Sequence, residues 1–175
     1  MQIRSGNNNA NLGNKHLRVE LVQIALEYKE IMAQTIGLLK DSYYLLGWKR
    51  DHEYISSTDY ERRLKNHVNM ALIYIYSLYE GFTTKFFMSI ELATSSISKK
   101  EFKERYPRFH DIVDKLMKEK YNIYLPSDIF KVVKLLREAR NSIAHGEKEA
   151  LPDIGIIELC STTVGKYFNY LVHRF

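Results

Sequence analysis

Apolar residues recur every three or four positions along most of the chain, which is the spacing of amphipathic helices. Strand-like alternation bounded by turns is not evident, so the pattern predicts an all-α bundle of five to six helices. The first helix is predicted from Lys15 to Lys49, either bent near Gly37 or continuous. Residues 1–14, which include an Asn-rich tract, are predicted to form a flexible N-terminal arm. Residues 15–175 then form a single helical domain, since a chain of this length most simply folds as one domain.

The second predicted helix is the centre of the predicted core. It follows an N-cap at Ser57 or Thr58 and is apolar on two sides through its middle. The first face contains Leu64, Val68, Ala71, Ile75, Leu78, Phe82 and Phe86, and the second contains Ile73, Tyr76 and Phe87. Such a helix is usually buried between neighbours, so Glu80 on the second face is costly unless it is paired. Arg140 is its predicted partner; the alternative is that Glu80 reaches solvent at the edge of the bundle.

A shorter, charged region follows the second helix. Residues from Ser98 onward are predicted to be helical, with a break at Pro107 and a further helix that contains Phe109 and Met117. The segment 99–108 mixes cations with carboxylates and aromatic rings, which fits a solvated helix face better than a dedicated phosphate track. The formal net charge of +5 and the pI near 9.1 still favour a polyanionic partner.

The last helix is predicted to begin at Pro152 and to pack through an apolar face. The residues of that face are Ile156, Leu159, Cys160, Val164, Phe168, Leu171 and Val172. Because Cys160 is the single cysteine, the chain cannot form an internal disulfide. Its apolar setting predicts a core residue rather than a nucleophile.

Targeting segments and metal motifs are not apparent in the sequence. The first residues lack the apolar region of a signal peptide, and the longest apolar run, Met70 to Tyr79, is too short to span a bilayer. We therefore expect a cytoplasmic protein without a membrane partner. The chain has no HExxH, paired CxxC, Walker or GxSxG motif, so we expect no metal and no cofactor. Five histidines lack metal-ligand spacing, namely His16, His52, His67, His110 and His173.

Residues suited to chemistry gather on the penultimate predicted helix. Ser127 is its predicted N-cap, and Gly146 is its predicted left-handed C-cap. Its apolar stripe consists of Ile129, Val132, Leu136, Ala139 and Ile143. At about 100° per residue, Arg137, Asn141 and His145 lie along a flank turned away from that stripe. Arg140 lies on the shoulder of the buried face.

The sequence Arg140-Asn141-x-x-x-His145 at the end of a helix resembles the Arg-polar-x3-His signature of the HEPN superfamily. Tyr79-Glu80-Gly81-Phe82 is similar to the apolar, Glu-bearing helix of several HEPN subfamilies. The resemblance covers the chain from the second long helix to the C-terminus. One HEPN subset carries a tyrosine two residues after the motif histidine, but Glu147 stands there in this chain, which argues against regulation by nucleotide transfer to that position.

The resemblance implies a metal-independent endoribonuclease of a toxin-antitoxin or antiphage system that acts as a homodimer. Arg140 and His145 would carry the catalysis, Asn141 would assist, and Glu80 and Arg137 would support the site. RNA would be the substrate, and an antitoxin or a sensor protein would be a further partner. Aromatic side chains near the cleft could stack unpaired bases, although the sequence does not indicate which of them do.

Two other interpretations of the same residues stay open. In the first, the chain is a noncatalytic HEPN-like module that dimerises and binds a protein or a nucleotide. In the second, the chain is a helical bundle outside this family. Arg140 would then be an arginine that extends from a buried face, Asn141 a surface amide and His145 a favourable cation at a helix C-terminus.

Overall fold

The computed structural model describes residues 6–145 and 154–175, with side chains from 15–145 and 155–175. The helices are α1 (Gly6–Asp51), α2 (Ser57–Ser95), α3 (Lys99–Arg105), α4 (Phe109–Asp111), α5 (Ser127–Ala144) and α6 (Ile154–Val172). A π-helical segment, Ile112–Lys120, continues α4 directly. No β-strand occurs within these ranges, so the prediction of an all-α fold with five to six helices is confirmed. None of the described helices is long and apolar enough to cross a membrane.

The chain divides into two compact units. Unit 1 consists of the described parts of Met1–Tyr28, Glu80–Tyr124 and Phe168–Phe175. Unit 2 consists of the described parts of Lys29–Tyr79 and Leu125–Tyr167. The division points fall inside α1, α2 and α6, so each of these helices contributes residues to both units. The single domain predicted for residues 15–175 stays a prediction.

Helix α1 begins earlier than the hydrophobic pattern predicts. It starts at Gly6 instead of Lys15 and continues through Gly37 to Asp51. Residues 6–14, which the sequence assigned to a flexible arm, therefore belong to the helix, and residues 1–5 lie outside the described range. Asparagine lowers helix propensity by only a fraction of a kcal/mol per residue (~0.7 at most), so polar residues can extend a helix that is already nucleated.

The end of α1 is fixed by a Schellman motif. Glu53 is in the left-handed region with φ 61°, and its N–H donates to the Arg50 carbonyl at 3.0 Å. The Tyr54 N–H donates to the Lys49 carbonyl at 2.9 Å. The Tyr54 ring stacks on Trp48 with centroids 5.4 Å apart, which is the apolar contact that usually accompanies this cap. The turn into α2 is therefore specified by local hydrogen bonds and one ring contact.

Helix α2 is capped one residue before the predicted position. The Asp59 N–H donates to the Ser56 hydroxyl at 3.1 Å, and the Tyr60 N–H donates to the Ser56 carbonyl at 2.9 Å. Ser56 is thus the N-cap, and Ser57 is the first helical residue. The two-sided apolar pattern is confirmed except at Leu64 and Ile73, which are half-buried. The buried members are Val68, Ala71, Ile75, Tyr76, Leu78, Phe82, Phe86 and Phe87.

The core of unit 1 is built from aromatic rings. The ring centroids of Phe82 and Phe168 lie 4.1 Å apart. The Tyr28 ring makes a T-shaped contact with each of them. Gly81 makes this arrangement possible, because a Cβ at that position would lie 3.0 Å from the Tyr28 hydroxyl oxygen. The Tyr28 hydroxyl is partly shielded from water, and this burial raises its pKa. The Glu-Gly-Phe stretch that contributes to the HEPN resemblance therefore also has a packing role.

A buried carboxylate lies at the end of the π-helical segment in unit 1. Glu91 is 1% exposed, and its Oε1 accepts from Lys120 Nζ at 2.5 Å and from the Tyr121 hydroxyl at 2.6 Å. The Lys120 ammonium also donates to Ser95 Oγ at 3.2 Å. The Tyr121 N–H donates five residues back, to the Leu116 carbonyl at 2.9 Å, as the wider π turn requires. Burial, followed by the bond to Glu91, raises the pKa of Tyr121.

Helix α6 confirms the predicted position of Cys160 and corrects one apolar residue. Cys160 is fully buried, and this burial raises the pKa of its thiol to about 11, so it stays protonated at neutral pH. Leu159, predicted to pack, is 57% exposed, whereas Ile157 and Tyr167 are buried. Leu159 points about 100° away from the buried Cys160 around the helix axis, which places it on the solvent side. The predicted start at Pro152 lies outside the described residues.

Candidate functional site

Helix α5 carries the predicted site and lies wholly in unit 2. It begins at Ser127, but Ser127 is not its N-cap as predicted. The Phe130 N–H donates to the Pro126 carbonyl at 2.8 Å, which makes Pro126 the N-cap and Ser127 the first helical residue. Pro126 has φ −52° and ψ 147°, which is the extended backbone that an N-cap requires.

The predicted apolar stripe anchors α5. Ile129 and Leu136 are buried, and Val132, Ala139 and Ile143 are half-buried. Of the polar residues, Arg137, Arg140 and His145 are exposed, and Asn141 is half-buried. The amphipathic character of α5 expected from the sequence is therefore confirmed. Its apolar residues are buried or half-buried, and the charged residues of the motif are exposed. Its charged and polar groups are accessible to a ligand from solvent.

Arg140 and Asn141 contact each other through their side chains. Arg140 Nη1 donates to Asn141 Oδ1 at 3.2 Å. This bond uses one of the five donors of the guanidinium and leaves the donating NH₂ group of Asn141 available to a ligand. The pair therefore offers a charged fork and an amide donor side by side, a combination that suits the oxygens of a phosphate.

His145 lies one turn beyond Asn141, where α5 ends. Its N–H donates to the Asn141 carbonyl at 3.0 Å, and its backbone has φ −91° and ψ 2°. His145 is exposed at the C-cap, and its backbone lies about 6 Å further along the helix axis than that of Asn141. The structure therefore brings Arg140, Asn141 and His145 to one end of one helix. The predicted C-cap Gly146 and the position of Glu147 lie outside the described residues.

Two further predicted site residues have different surroundings. Arg137 is exposed one turn before Asn141 on the same helix, so it adds positive charge beside the motif. Glu80 is half-buried in α2 and belongs to unit 1, whereas Arg140 belongs to unit 2. The pairing of Glu80 with Arg140 therefore stays a prediction.

A small cleft elsewhere in unit 2 lies among α1, α2 and α6 and is lined mainly by apolar side chains. Its polar groups are already engaged. Lys40 Nζ lies 2.5 Å from Glu158 Oε1, and the His67 ring nitrogen Nε2 lies 3.2 Å from the Leu39 carbonyl oxygen. Among the residues with described side chains, no three His, Cys, Asp or Glu come together as metal ligands would. The α5 motif thus remains the best candidate for chemistry.

Sequence reasoning missed two residues that the structure makes prominent. Phe130 is 56% exposed on α5, although its aromatic character favoured burial. Phe130 follows Ile129 directly, so it lies about 100° from Ile129 around the helix axis. This spacing could have indicated that Phe130 lies outside the apolar stripe. Glu91 is buried and paired with Lys120, which lies 29 positions away in the chain. No local pattern connects two residues at that separation.

Comparison of the chain with protein-family models, with curated proteins and with solved structures found no match.

Proposed function

We propose that this protein is a metal-independent endoribonuclease whose site is the Arg140, Asn141 and His145 cluster. The observation that carries the proposal is the contact between the Arg140 guanidinium and the Asn141 amide at 3.2 Å, one turn before an exposed imidazole. Arginine and an amide bind phosphate oxygens, and histidine is the side chain whose ordinary pKa suits proton transfer near neutral pH. Together they are the groups that cleavage of RNA without a metal requires.

The reaction uses the 2′-hydroxyl of RNA as its own nucleophile. A base removes the 2′-hydroxyl proton, the 2′-oxygen bonds to phosphorus, and the bond from phosphorus to the 5′-oxygen breaks. An acid gives the leaving 5′-oxygen a proton, so the products are a 2′,3′-cyclic phosphate and a 5′-hydroxyl. Arg140 stabilises the negative charge that builds on the phosphate oxygens, and the Asn141 amide donates a further hydrogen bond.

One chain supplies one motif histidine, whereas the reaction needs both a base and an acid. A symmetric pair of chains that meet near the ends of α5 would supply two imidazoles and two arginines to one cleft. We therefore propose a homodimer with a composite site. Arg137, exposed one turn before Asn141, adds charge to the same cleft.

The resemblance to HEPN nucleases supports the biological role. We propose that the chain is the toxic effector of a toxin-antitoxin or antiphage system in the cytoplasm. Such an effector requires control, so an antitoxin or a sensor protein is its proposed partner. Glu80 is proposed to orient Arg140, as the sequence pattern predicts.

A noncatalytic HEPN-like interaction module is the second candidate, and a specific observation favours it. Unit 2 exposes several large apolar side chains, the kind of surface that protein partners cover. The most exposed of those on α1 and α2 are Leu38 at 71%, Tyr44 at 68% and Met70 at 65%. A homodimer of the nuclease would also cover apolar surface, so RNA cleavage is the measurement that separates the two candidates.

The test is cleavage of a pool of single-stranded RNA and tRNA by the purified protein in EDTA, with His145→Ala beside it. We expect the substitution to lower the cleavage rate by about 10²- to 10⁴-fold, the usual effect of one general acid or base. His145 is exposed, so folding should be unchanged by circular dichroism. The matched control is His110→Ala, which changes an exposed histidine of α4.

The ends of the products identify the chemistry. Cyclic phosphate ends that disappear with His145→Ala but persist with His110→Ala would support the nuclease. Equal cleavage by all three proteins would assign the activity to another site or to a contaminant and would refute the proposal. No cleavage by any of them, with binding of a protein or nucleotide, would favour the interaction module.

A further inference from the structure

The motif continues along α5 as a polar and aromatic face. Phe130, Lys134, Arg137, Asn141 and His145 follow each other at intervals of four, three, four and four residues. At about 100° per residue these positions lie within a stripe about 80° wide, opposite the buried Ile129 and Leu136. We call this stripe the outer face of α5. It extends about 22 Å along the helix, at 1.5 Å per residue.

The outer face and its edges are electropositive. Helix α5 carries four cations, namely Lys131, Lys134, Arg137 and Arg140, against two carboxylates, Asp128 and Glu138. Lys134 Nζ lies 3.8 Å from Glu138 Oε1, but the two side chains are 63% and 66% exposed. An ion pair this exposed contributes little, so the ammonium can exchange the carboxylate for a phosphate.

Phe130 is the unusual member of the outer face. It is 56% exposed in a helix whose other large apolar residues are buried or half-buried. Lys131 follows it directly, and Lys134 lies one turn further along the same face. A flat apolar ring beside cations is the arrangement with which proteins bind single-stranded nucleic acid, because the ring stacks a base while the cations contact phosphates.

We propose that the outer face of α5 binds single-stranded RNA, with Phe130 stacking one unpaired base and with Lys134 and Arg137 contacting phosphates between that base and the motif. The inference rests on the proposed function, because it describes how the RNA to be cleaved is held. It also names the aromatic residue that the sequence could not identify. A duplex does not fit, since its paired bases are not free to stack on a protein ring.

The test measures RNA binding separately from cleavage. Full-length protein with His145→Ala binds a fluorescein-labelled single-stranded RNA without cutting it, and fluorescence anisotropy gives the dissociation constant. Adding Phe130→Leu should weaken binding about 5- to 150-fold, the effect of losing one base stack. Adding Phe130→Trp instead should preserve binding, because the ring is kept. Leu159→Ala is the matched control, since Leu159 is an apolar residue of nearly equal exposure, 57%, on α6 in unit 2.

Salt dependence tests the two cations. Each of Lys134→Gln and Arg137→Gln should lower the slope of log affinity against log salt by about 0.7, the value for one phosphate contact on a single strand. Glu138→Gln should strengthen binding slightly, because it removes the competing carboxylate of Lys134. If neither variant changes the slope, the proposed phosphate contacts of Lys134 and Arg137 are refuted.

The outcomes separate this inference from the nuclease itself. Cleavage by the wild type with no effect of Phe130→Leu on binding or on KM would leave the nuclease standing and refute the Phe130 contact. Phe130-dependent binding with no cleavage by the wild type would refute the nuclease and support the RNA surface. Equal losses with Phe130→Leu and Leu159→Ala would refute a specific stack. Loss of self-association with unchanged RNA binding would assign the outer face to a second copy of the chain.

Discussion

Charged groups in the two units have opposite surroundings. In unit 1, Glu91 is 1% exposed and accepts hydrogen bonds from Lys120 and Tyr121. In unit 2, Arg140 is exposed, and its described side-chain hydrogen bond is to the neighbouring Asn141. A buried charge must be paired to be tolerated, whereas an exposed charge with spare donors can bind something else. The first arrangement is suited to stability and the second to a ligand.

Among the charged groups of this comparison, the exposed arginine should have the largest effect when it is removed. We expect Arg140→Ala to lower kcat/KM for RNA by about 10²- to 10³-fold, because a positive charge at the phosphate is lost. The free energy of unfolding should change by less than about 0.5 kcal/mol, as is usual for an exposed side chain. Arg140→Lys should restore only part of the activity, since lysine lacks the planar fork.

Arg62→Ala is the control for Arg140. Arg62 is also an exposed arginine of unit 2, and its Nη2 lies 2.7 Å from Asp59 Oδ1. Its loss should leave cleavage unchanged. A large fall in stability with Arg140→Ala, or equal losses of activity in both variants, would contradict the contrast between a structural and a ligand-binding charge.

The next effect is on stability and belongs to unit 1. Lys120→Met should lower the free energy of unfolding by about 3 kcal/mol, because it leaves the buried Glu91 carboxylate without its cation. Lys118→Met is a close control, since Lys118 lies two positions earlier and pairs at 2.6 Å with Asp114, which is exposed. Its loss should cost less than about 1 kcal/mol. Urea denaturation followed by circular dichroism measures both, and equal values would show that burial of Glu91 does not matter.

The smallest expected effect is on the pH dependence of stability, through Asp111 in unit 1. A hydrogen bond from Lys115 at 2.9 Å, followed by the Arg108 N–H at 3.1 Å, lowers the pKa of Asp111 below its usual 3.8. A carboxylate whose pKa is lowered by folding stabilises the protein above that usual value and loses the contribution as the pH falls through the folded pKa. Asp111→Asn should therefore be less stable than the wild type at neutral pH. The difference in thermal midpoint should shrink below pH 3.8, and a difference that grows in acid would contradict this assignment.

The sequence predicted much of the helical order, because burial follows helical periodicity closely in this chain. The two-sided core face of α2 and the buried position of Cys160 were both readable from apolar spacing. Cap positions were wrong by one residue at Ser57 and Ser127, since serine is acceptable both as a cap and as the first helical residue. Only the backbone hydrogen bonds distinguish the two positions.

The π-helical segment could not be predicted for a different reason. Ile112, Leu116 and Met117 have spacing that suits an ordinary α-helix as well as the wider turn. The partner of Lys120 and Tyr121 is Glu91, which lies on another helix and about 30 positions away in the chain. At the candidate site, the sequence identified Arg140, Asn141 and His145, which share one helix. It did not indicate that Phe130 is exposed on the same helix, because aromatic residues are usually expected in a core.

Trp48, stacked on Tyr54 at the end of α1, is the only tryptophan in the chain. Its fluorescence therefore reports on unit 2 alone, whereas circular dichroism reports on helices of both units. When the same denaturation is followed by both signals, coincident transitions mean that the units unfold as one cooperative body. An earlier change in fluorescence means that unit 2, which holds the candidate site, opens before the rest of the chain. The cap of one helix thus provides a built-in probe of the stability of the unit that carries the site.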